Sequence, residues 1–368
     1  MSSQVRPRIV AMCVMAFALT VVPNVRAQTR SAMPDSVRAY LDSALQIMHK
    51  VLGADTVDWD ALRDSLYQRA EGAVRPVDAY RSIRWALRTL NPHSFLQLSS
   101  ELRERERART PESEANTSAS TGARRVYSPF SNERVPAAEL LALADGQVGR
   151  LRVPAFSGAQ LTAFADTLES LVRELDSADV CGWIVDLRGN GGGNMWPMLA
   201  GLGPILGEGK LGEFHGPDGL TGTWYYENGA SGIRPRDGEV NENARVSGEP
   251  YRVLGTPPVA VLFDGGTASS GEAVAIAFIG RENTRSFGVP SYGFTTANNG
   301  FRLPDQANIV LTVGVDADRH GRAYPTALQP DVIVPITDGE LPEMPPPGID
   351  PQERAALAWL AEQASCGR

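Results

Sequence analysis

Residues 259–279 read as a buried strand, a glycine-containing turn and a serine pair at the start of a helix. The apolar run Val259–Phe263 is typical of a strand in a covered sheet, and Asp264-Gly-Gly-Thr-Ala-Ser-Ser-Gly-Glu272 leads into a helix predicted at 271–279. A serine at such a position can project into a cleft, and the first free N–H groups of the helix point at the same place. A hydroxyl nucleophile with nearby N–H donors is what acyl transfer requires. Ser269 and Glu272 also match a capping box, which stabilises helices without catalysis, so this segment alone leaves both interpretations open.

Strand and helix patterns alternate from Gly146 onward, whereas residues 34–98 are helical in pattern. This alternation predicts an α/β core of mixed sheet and helices. Residues 208–250 are rich in Gly, Asp, Glu and Asn, and we expect an inserted β-hairpin cap that projects over a cleft. The predicted divisions are a signal peptide at 1–27, an N-terminal helical domain at 28–98, a charged linker at 99–145, a core at 146–340 that contains the 208–250 cap insert, and a Pro-rich bridge with a C-terminal helix at 341–368.

The first 27 residues have the features of a secretory signal peptide. Arg6 and Arg8 precede an apolar run at 9–22, and Val25-Arg-Ala27 offers a small-residue cleavage site. The apolar run is short for a membrane span, so we expect cleavage after Ala27 and a periplasmic or secreted chain without stable membrane insertion. A retained N-terminal anchor is the alternative.

The charge of the chain bears on its partners. Cleavage would change the net charge from −8 to about −11, because three arginines leave with the signal segment. An acidic surface argues against nucleic acid and anionic membranes as partners. It leaves a peptide or unfolded protein substrate open.

Two cysteines, Cys181 and Cys366, follow the predicted cleavage site, an even number in a compartment that permits disulfides. We hypothesise that they bond and tie the C-terminal helix to the core. Two separate buried thiols are the alternative, because the sequence contains no distances. The four histidines are scattered and no HExxH or CxxC spacing occurs, so we predict neither a metal site nor a cofactor.

A glycine-rich loop follows the predicted strand Gly182–Leu187, in the run Asp186-Leu-Arg-Gly-Asn-Gly-Gly-Gly193. A dinucleotide-binding GxGxxG fingerprint would need glycine at position 194, where the chain has Asn. The glycines instead allow the backbone to approach a substrate carbonyl and donate N–H bonds, although a plain tight turn has the same composition. Upstream, His93 in Asn91-Pro-His-Ser-Phe95 follows the helical region, where its side chain can reach over the neighbouring core.

Taken together, these segments resemble the carboxyl-terminal processing (tail-specific) serine peptidases. The resemblance rests on DLRGNGGG at 186–193, on TASSGE at 267–272 and on the upstream PHS histidine, and it covers about 145–335 plus the His93 segment. It implies an α/β core of the ClpP/crotonase-like type, with 146–340 as the peptidase core.

The resemblance also implies roles for residues. The nucleophile would be Ser269, and the N–H groups of Ser270 and Gly193 would bind the oxyanion. Gly192, which we place in the oxyanion hole, and Glu272 fall on positions that are important in the family.

The chain departs from the common family pattern in two ways. Many members use a Ser/Lys pair, but the position of that lysine is Phe294, and the only lysines are Lys50 and Lys210. The stretch between His93 and Gly146 is too short and too polar for the PDZ domain that many members carry, so we predict no PDZ domain.

Both departures point to the Ser/His branch of the family, which includes tricorn-like core peptidases and the nisin-resistance peptidase. In that branch a histidine is the general base, which matches His93. An imidazole with an ordinary pKa near 6.5 suits proton transfer at neutral pH, whereas serine alone is a weak nucleophile. For Glu272 we predict a supporting role that orients or polarises the pair, although helix capping by itself would explain its presence.

The resemblance therefore predicts an exported serine endopeptidase that cleaves peptides or unstructured protein tails through an acyl-enzyme on Ser269. The main alternative is a catalytically silent module of the same fold that binds hydrophobic ligands or peptides, because fold does not determine function. An esterase that uses the same serine is a third interpretation, although its usual GxSxG turn is absent.

Overall fold

The computed structural model describes residues 33–108, 134–335 and 350–366. Within these ranges it contains two short 3-10 helices, eight α-helices and thirteen β-strands. The α-helices are α1 (Asp35–Met48), α2 (Trp59–Arg69), α3 (Tyr80–Leu90), α4 (Ser100–Arg107), α5 (Leu161–Asp176), α6 (Met195–Leu206), α7 (Ser270–Phe278) and α8 (Pro351–Ala361). The strands are β1 (Phe95–Gln97), β2 (Ala137–Leu143), β3 (Gly146–Arg152), β4 (Gly182–Asp186), β5 (Gly209–Gly216), β6 (Gly219–Glu227), β7 (Ala230–Pro235), β8 (Asn241–Arg245), β9 (Val259–Phe263), β10 (Thr284–Gly288), β11 (Thr296–Arg302), β12 (Asn308–Asp318) and β13 (Val332–Ile333).

A six-stranded sheet in the order β13-β10-β9-β4-β3-β2 forms the centre of the α/β core. All neighbours in it are parallel except β2, which pairs antiparallel with β3. Trp183 and Val185 face a core shared with α5, α6 and α7, whereas Ile184 faces α8 on the opposite side. Strands covered on both faces are continuous apolar runs, which explains why β4 and β9 were predicted from sequence.

The second sheet contains seven strands in the order β1-β12-β5-β6-β7-β8, with β11 also paired to β12. Residues 208–250, predicted as an inserted hairpin, are antiparallel as expected but form four strands, of which β5 pairs with β12. Trp224 and Tyr226 of β6 are buried in the core of the first sheet. The insert therefore contributes to the main hydrophobic core, because alternate side chains of a strand lie on the same face.

The N-terminal helices pack on the second sheet. Buried side chains of α1, α2 and α3 form one cluster with Leu303, Ile309 and Leu311 on and before β12. Within 34–98 the structure has three α-helices where the pattern predicts helices, but Phe95–Gln97 is strand β1 and the helices share their core with the sheet. Strand β1 joins the same sheet directly after α3.

Both ends of the predicted linker at 99–145 are regular structure, so that prediction is wrong there. Ser99 caps α4, and Leu102 is buried against the N-terminal helices. Ala137–Leu143 is strand β2, which lines up with β3 over its whole length. The charged side chains of α4 lie on its outer face, as in an amphipathic helix, and composition alone obscured this. Residues 109–133 lie outside the described residues.

The C-terminal helix α8 packs on the outer face of the first sheet through Ala356 and Leu360. A disulfide joins Cys181 to Cys366 across 185 residues of sequence, which confirms the hypothesis that these cysteines bond. The predicted signal peptide at 1–27 and the Pro-rich run at 341–348 lie outside the described residues. None of the helices in the described ranges has both the length and the apolar character needed to span a bilayer.

Candidate active site

Ser269 immediately precedes α7 in a strained turn. Its backbone has φ 53° and ψ −120°, a conformation that costs a non-glycine residue about 1–3 kcal/mol and that clusters at functional sites. Buried hydrogen bonds hold the turn in place. The Thr267 hydroxyl donates to the Leu187 carbonyl at 2.9 Å, and the Ala268 N–H donates to the Asn190 carbonyl at 2.9 Å.

His93 lies against Ser269, although 176 residues separate them in the chain. The imidazole Nε2 is 3.1 Å from the Ser269 hydroxyl oxygen. Hydrogen bonds hold the backbone of His93 at both its N–H and its carbonyl. The His93 N–H donates to the Asn91 side chain at 2.8 Å, and the Asn298 side-chain amide donates to the His93 carbonyl at 3.1 Å. The structure thus brings together the two residues that the sequence singled out as nucleophile and base.

Neutral side chains surround the rest of the imidazole. Its Nδ1 is 2.6 Å from the Thr296 hydroxyl, and its ring stacks on Phe294 with centroids 4.4 Å apart and 15° between the planes. Tyr292 packs edge-on against the same phenyl ring. The side chain is 8% exposed, and this burial lowers the pKa of His93 from 6.5 to about 4. The imidazole is therefore uncharged at neutral pH and can accept a proton.

Glu272 is fully buried next to the Ser269 turn and accepts four hydrogen bonds. One carboxylate oxygen accepts from the N–H groups of Ser269 and Phe294, each at 2.8 Å. The other accepts from the Ser291 hydroxyl at 2.5 Å and the Gly293 N–H at 2.7 Å. Burial raises the pKa of Glu272, and these hydrogen bonds act in the opposite direction. Glu272 therefore joins the Ser269 turn to the loop that carries Phe294.

The glycine loop after β4 meets the Ser269 turn because β4 and β9 are parallel neighbours, whose carboxyl ends lie at the same edge of the sheet. A Cβ on Gly192 would come within 2.8 Å of both the Ala268 carbonyl oxygen and the Ser269 Cβ. The Gly192 N–H donates to the Asn190 side chain at 3.0 Å. This donor already has a partner, and close packing explains why glycine stands at this position, so the placement of Gly192 in the oxyanion hole stays a prediction.

Gly193 and Ser270 present the remaining predicted donors. Among the described residues, neither backbone N–H has a hydrogen-bond acceptor. The Ser270 hydroxyl donates to the Gly193 carbonyl at 2.8 Å, which holds the two segments together. Gly193 has φ 111°, and a Cβ there would lie 2.0 Å from the Phe156 carbonyl oxygen, so only glycine fits.

A buried ionic network holds the start of the glycine loop. Asp186, at the end of β4, pairs with Arg188 at 2.7 Å and Arg152 at 3.1 Å. Burial alone would raise the pKa of Asp186, but the two guanidinium groups outweigh it and the pKa is lowered. Arg188 also contacts Asp350 and Gln352 of the C-terminal segment, so α8 supports the loop from below.

Several residues of this site were missed by sequence reasoning. Phe294 was noted only as a replacement for lysine, and Thr296 and Ser291 belong to short polar runs without a distinctive motif. Their contacts with His93 and Glu272 depend on chain segments that meet only in the tertiary structure. Asp350 and Gln352 were missed for the same reason.

Metal-ligand groups and cavities were also sought across the described residues. No three His, Cys, Asp or Glu side chains in the described ranges are grouped so that they could hold a metal ion. A cavity of about 480 Å³ lies between the C-terminal end of α7 and residues 322–331. It is lined by neither Ser269 nor His93, so it is separate from the site at this turn.

The sequence matches known proteins over its core. The sequence model of peptidase family S41 matches residues 147–334. The nisin-resistance protein of Lactococcus lactis subsp. lactis is 26% identical over 305 residues, which cover 82% of this chain and 84% of that protein. The carboxy-terminal processing protease CtpA of Bacillus subtilis is 25% identical over 171 residues, which cover 46% of this chain and 31% of that protein.

Solved structures match the fold. A lipoprotein from Streptococcus agalactiae superposes with a TM-score of 0.60 at 22% identity, covering 89% of this chain and 97% of that chain. The photosystem II D1 C-terminal processing protease superposes with a TM-score of 0.53 at 16% identity, covering 82% of this chain and 93% of that chain.

Proposed function

This chain belongs to peptidase family S41, a family of serine peptidases, and we propose that it is an exported endopeptidase that cleaves peptides or unstructured protein tails through an acyl-enzyme on Ser269. The observation that carries the proposal is the contact between the Ser269 hydroxyl and His93 Nε2 at 3.1 Å. A nucleophile and a base within hydrogen-bond reach are the minimum machinery of acyl transfer.

The proposed reaction has two half-reactions. Ser269 Oγ attacks the substrate carbonyl carbon while His93 Nε2 takes the hydroxyl proton. The imidazolium then gives that proton to the leaving amine nitrogen as the C–N bond breaks, which leaves an ester on Ser269. Water, deprotonated by the same imidazole, attacks the ester and restores the serine hydroxyl.

Backbone groups would stabilise the oxyanion formed in each half-reaction. The N–H groups of Gly193 and Ser270 have no acceptor among the described residues, and the hydrogen bond from the Ser270 hydroxyl to the Gly193 carbonyl holds these two residues together beside Ser269. Donors that are already in position cost no reorganisation when negative charge develops. Glu272 would act on Ser269 through the backbone, because its carboxylate accepts from the Ser269 N–H.

The family supports the proposed substrate class, and two features of the chain support the proposed location. Peptides and proteins are the substrates of peptidases. The disulfide between Cys181 and Cys366 is consistent with an oxidising compartment, as is the signal-like segment at 1–27. We therefore place the mature chain in the periplasm or outside the cell.

The test compares the mature chain, beginning at Gln28, with Ser269→Ala and His93→Ala variants. Each is incubated with a pool of disordered polypeptides, and new chain ends are mapped by mass spectrometry. We expect cleavage by the wild type, with turnover lowered by roughly 10³-fold or more in each variant, as for other serine hydrolases.

The control is His49→Ala, at an exposed histidine outside the site. It should cleave as the wild type does. A His93→Ala variant with near-normal turnover would show that His93 is not the general base. If the wild type and the variants are all folded and none of them cleaves the pool, the result would favour the catalytically silent binding module of the same fold.

A further inference from the structure

Both ring nitrogens of His93 have hydroxyl partners. Nε2 lies 3.1 Å from Ser269 Oγ, and Nδ1 lies 2.6 Å from Thr296 Oγ1. A neutral imidazole carries its proton on one nitrogen only. For Nε2 to accept the serine proton, Nδ1 must carry the hydrogen and donate it to Thr296.

The Thr296 hydroxyl is held where it can accept that hydrogen. Thr296 is the first residue of β11 and pairs with Val315 of β12. A β-branched side chain on a paired strand has few χ1 alternatives. The neighbouring Thr295 points the other way and donates to the Tyr324 carbonyl at 2.5 Å.

The ring face of His93 is covered by Phe294. The two rings are 4.4 Å apart and nearly parallel, and Tyr292 braces the phenyl ring at 4.5 Å. The Phe294 backbone N–H donates to Glu272, which also accepts from Ser269. The same carboxylate therefore sets the position of the aromatic cover relative to the nucleophile.

We propose that Thr296 and Phe294 are positioning residues for His93, in which the threonine hydroxyl selects the Nδ1–H tautomer and the phenyl ring excludes water from the imidazole face. The threonine hydroxyl takes the place at Nδ1 that a carboxylate holds in a Ser-His-Asp arrangement, and the phenyl ring covers the imidazole face. The inference rests on the proposed roles of Ser269 and His93.

The charged and titratable groups around His93 leave this neutral setting intact. Glu272 lies behind the Ser269 turn, and four donors engage its oxygens. Tyr292 lies beyond Phe294. Asp316 is buried, and its pKa is raised by this burial and by the charge of Glu272. Burial is what lowers the pKa of His93 to about 4. No carboxylate among the described residues hydrogen-bonds the imidazole.

The sign of the pH dependence follows from this shift. A base with a pKa of about 4 stays unprotonated down to that pH, so kcat/KM of the wild type should fall only below about pH 4. Phe294→Leu admits water to the ring and moves the pKa toward 6.5. The acid limb then moves upward, and kcat/KM at pH 5 falls relative to pH 8 by as much as about 30-fold if the ordinary pKa is fully restored.

Replacing Thr296 tests the tautomer. Thr296→Val keeps the shape of the side chain but removes the acceptor, so Nδ1–H loses its partner and the Nε2–H form gains population. We expect kcat/KM to fall at least about tenfold, less than the roughly 10⁴-fold loss caused by the wrong tautomer in a carboxylate triad. Thr296→Ser retains the hydroxyl and should stay within a few-fold of the wild type. Thr295→Val is the structural control, because it removes buried hydrogen bonds without touching His93.

A measurement that needs no substrate separates this inference from the proposed function. Nitrogen-15 NMR of the imidazole, assigned by comparison with His93→Gln, gives the tautomer and the pKa of His93 in each variant. The inference is supported if the wild type carries its hydrogen on Nδ1, Thr296→Val shifts it toward Nε2, and Phe294→Leu raises the pKa while Thr295→Val changes neither.

Unchanged tautomer and pKa in both Thr296→Val and Phe294→Leu would overturn the inference, even if the peptidase is active. An inactive wild type with the expected NMR behaviour would overturn the proposed function, while the control of the His93 tautomer and pKa by Thr296 and Phe294 would still be supported.

Discussion

At the scale of single residues, the glycine loop offers a matched pair of substitutions. Gly193→Ala places a methyl group 2.0 Å from the Phe156 carbonyl at φ 111°, whereas a Cβ on Gly191 meets nothing within 4 Å. We expect Gly193→Ala to displace an oxyanion donor and lower kcat about 10²-fold, the loss seen when such a donor is removed. Gly191→Ala should stay within about twofold. Equal rates of peptide cleavage in both variants would show that the Gly193 N–H does not bind the oxyanion.

Glu272 supports a second residue-scale prediction. Each of its oxygens accepts from a backbone N–H, so the amide nitrogen of Glu272→Gln faces a donor whichever way it is turned. We expect a loss of about 1–3 kcal/mol in the free energy of unfolding for each buried donor left without an acceptor, measured by urea denaturation, and a lower kcat.

The matched control for Glu272 is Glu101→Gln on α4, an exposed carboxylate paired with Arg105. That pair should contribute less than about 1 kcal/mol. If Glu272→Gln is destabilised but keeps a normal kcat, the role of Glu272 is helix capping alone.

At the scale of elements, the junction between β4 and the glycine loop depends on α8. Arg188 is almost fully buried between Asp186 and Asp350, so Arg188→Met leaves Asp186 with Arg152 as its one charged partner among the described residues. Breaking a buried ion pair by removing one partner costs about 3–5 kcal/mol. Chemical denaturation should show that loss, and kcat should fall because the loop carries Gly193.

The control for Arg188 is Arg105→Met, at an exposed arginine on α4. Its unfolding free energy should change by less than about 0.5 kcal/mol, as for most surface sites. Similar losses in both variants would mean that the buried network contributes little to stability.

At the scale of the whole molecule, the disulfide closes most of the core into one covalent loop. Cys181 and Cys366 are 185 residues apart, and Cys366 is 3% exposed. Cys366→Ser should lower the free energy of unfolding by about 2–5 kcal/mol, chiefly because the unfolded chain gains freedom. Thermal denaturation with and without dithiothreitol checks this: reductant should destabilise the wild type but leave Cys366→Ser unchanged. A wild type indifferent to reductant would contradict the prediction.

The sharing of cores between segments is also a property of the whole molecule. The N-terminal helices bury side chains against β12, and Trp224 of the predicted cap lies in the core of the parallel sheet. The sequence pattern predicts these segments as separate units, because composition and periodicity describe one segment at a time. Which apolar faces meet is decided by the packing of all of them.

The sequence indicated several core elements and the candidate nucleophile and base, Ser269 and His93. The apolar runs of β4 and β9 and the serine pair before α7 are recognisable because backbone preferences and burial periodicity act over a few residues. The tertiary structure alone decided that Ser269 meets His93, that Thr296 faces Nδ1, that the Gly192 N–H is taken by Asn190 and that Cys181 meets Cys366. These contacts join segments whose separation in space depends on the packing of the whole chain, and no local preference encodes that distance.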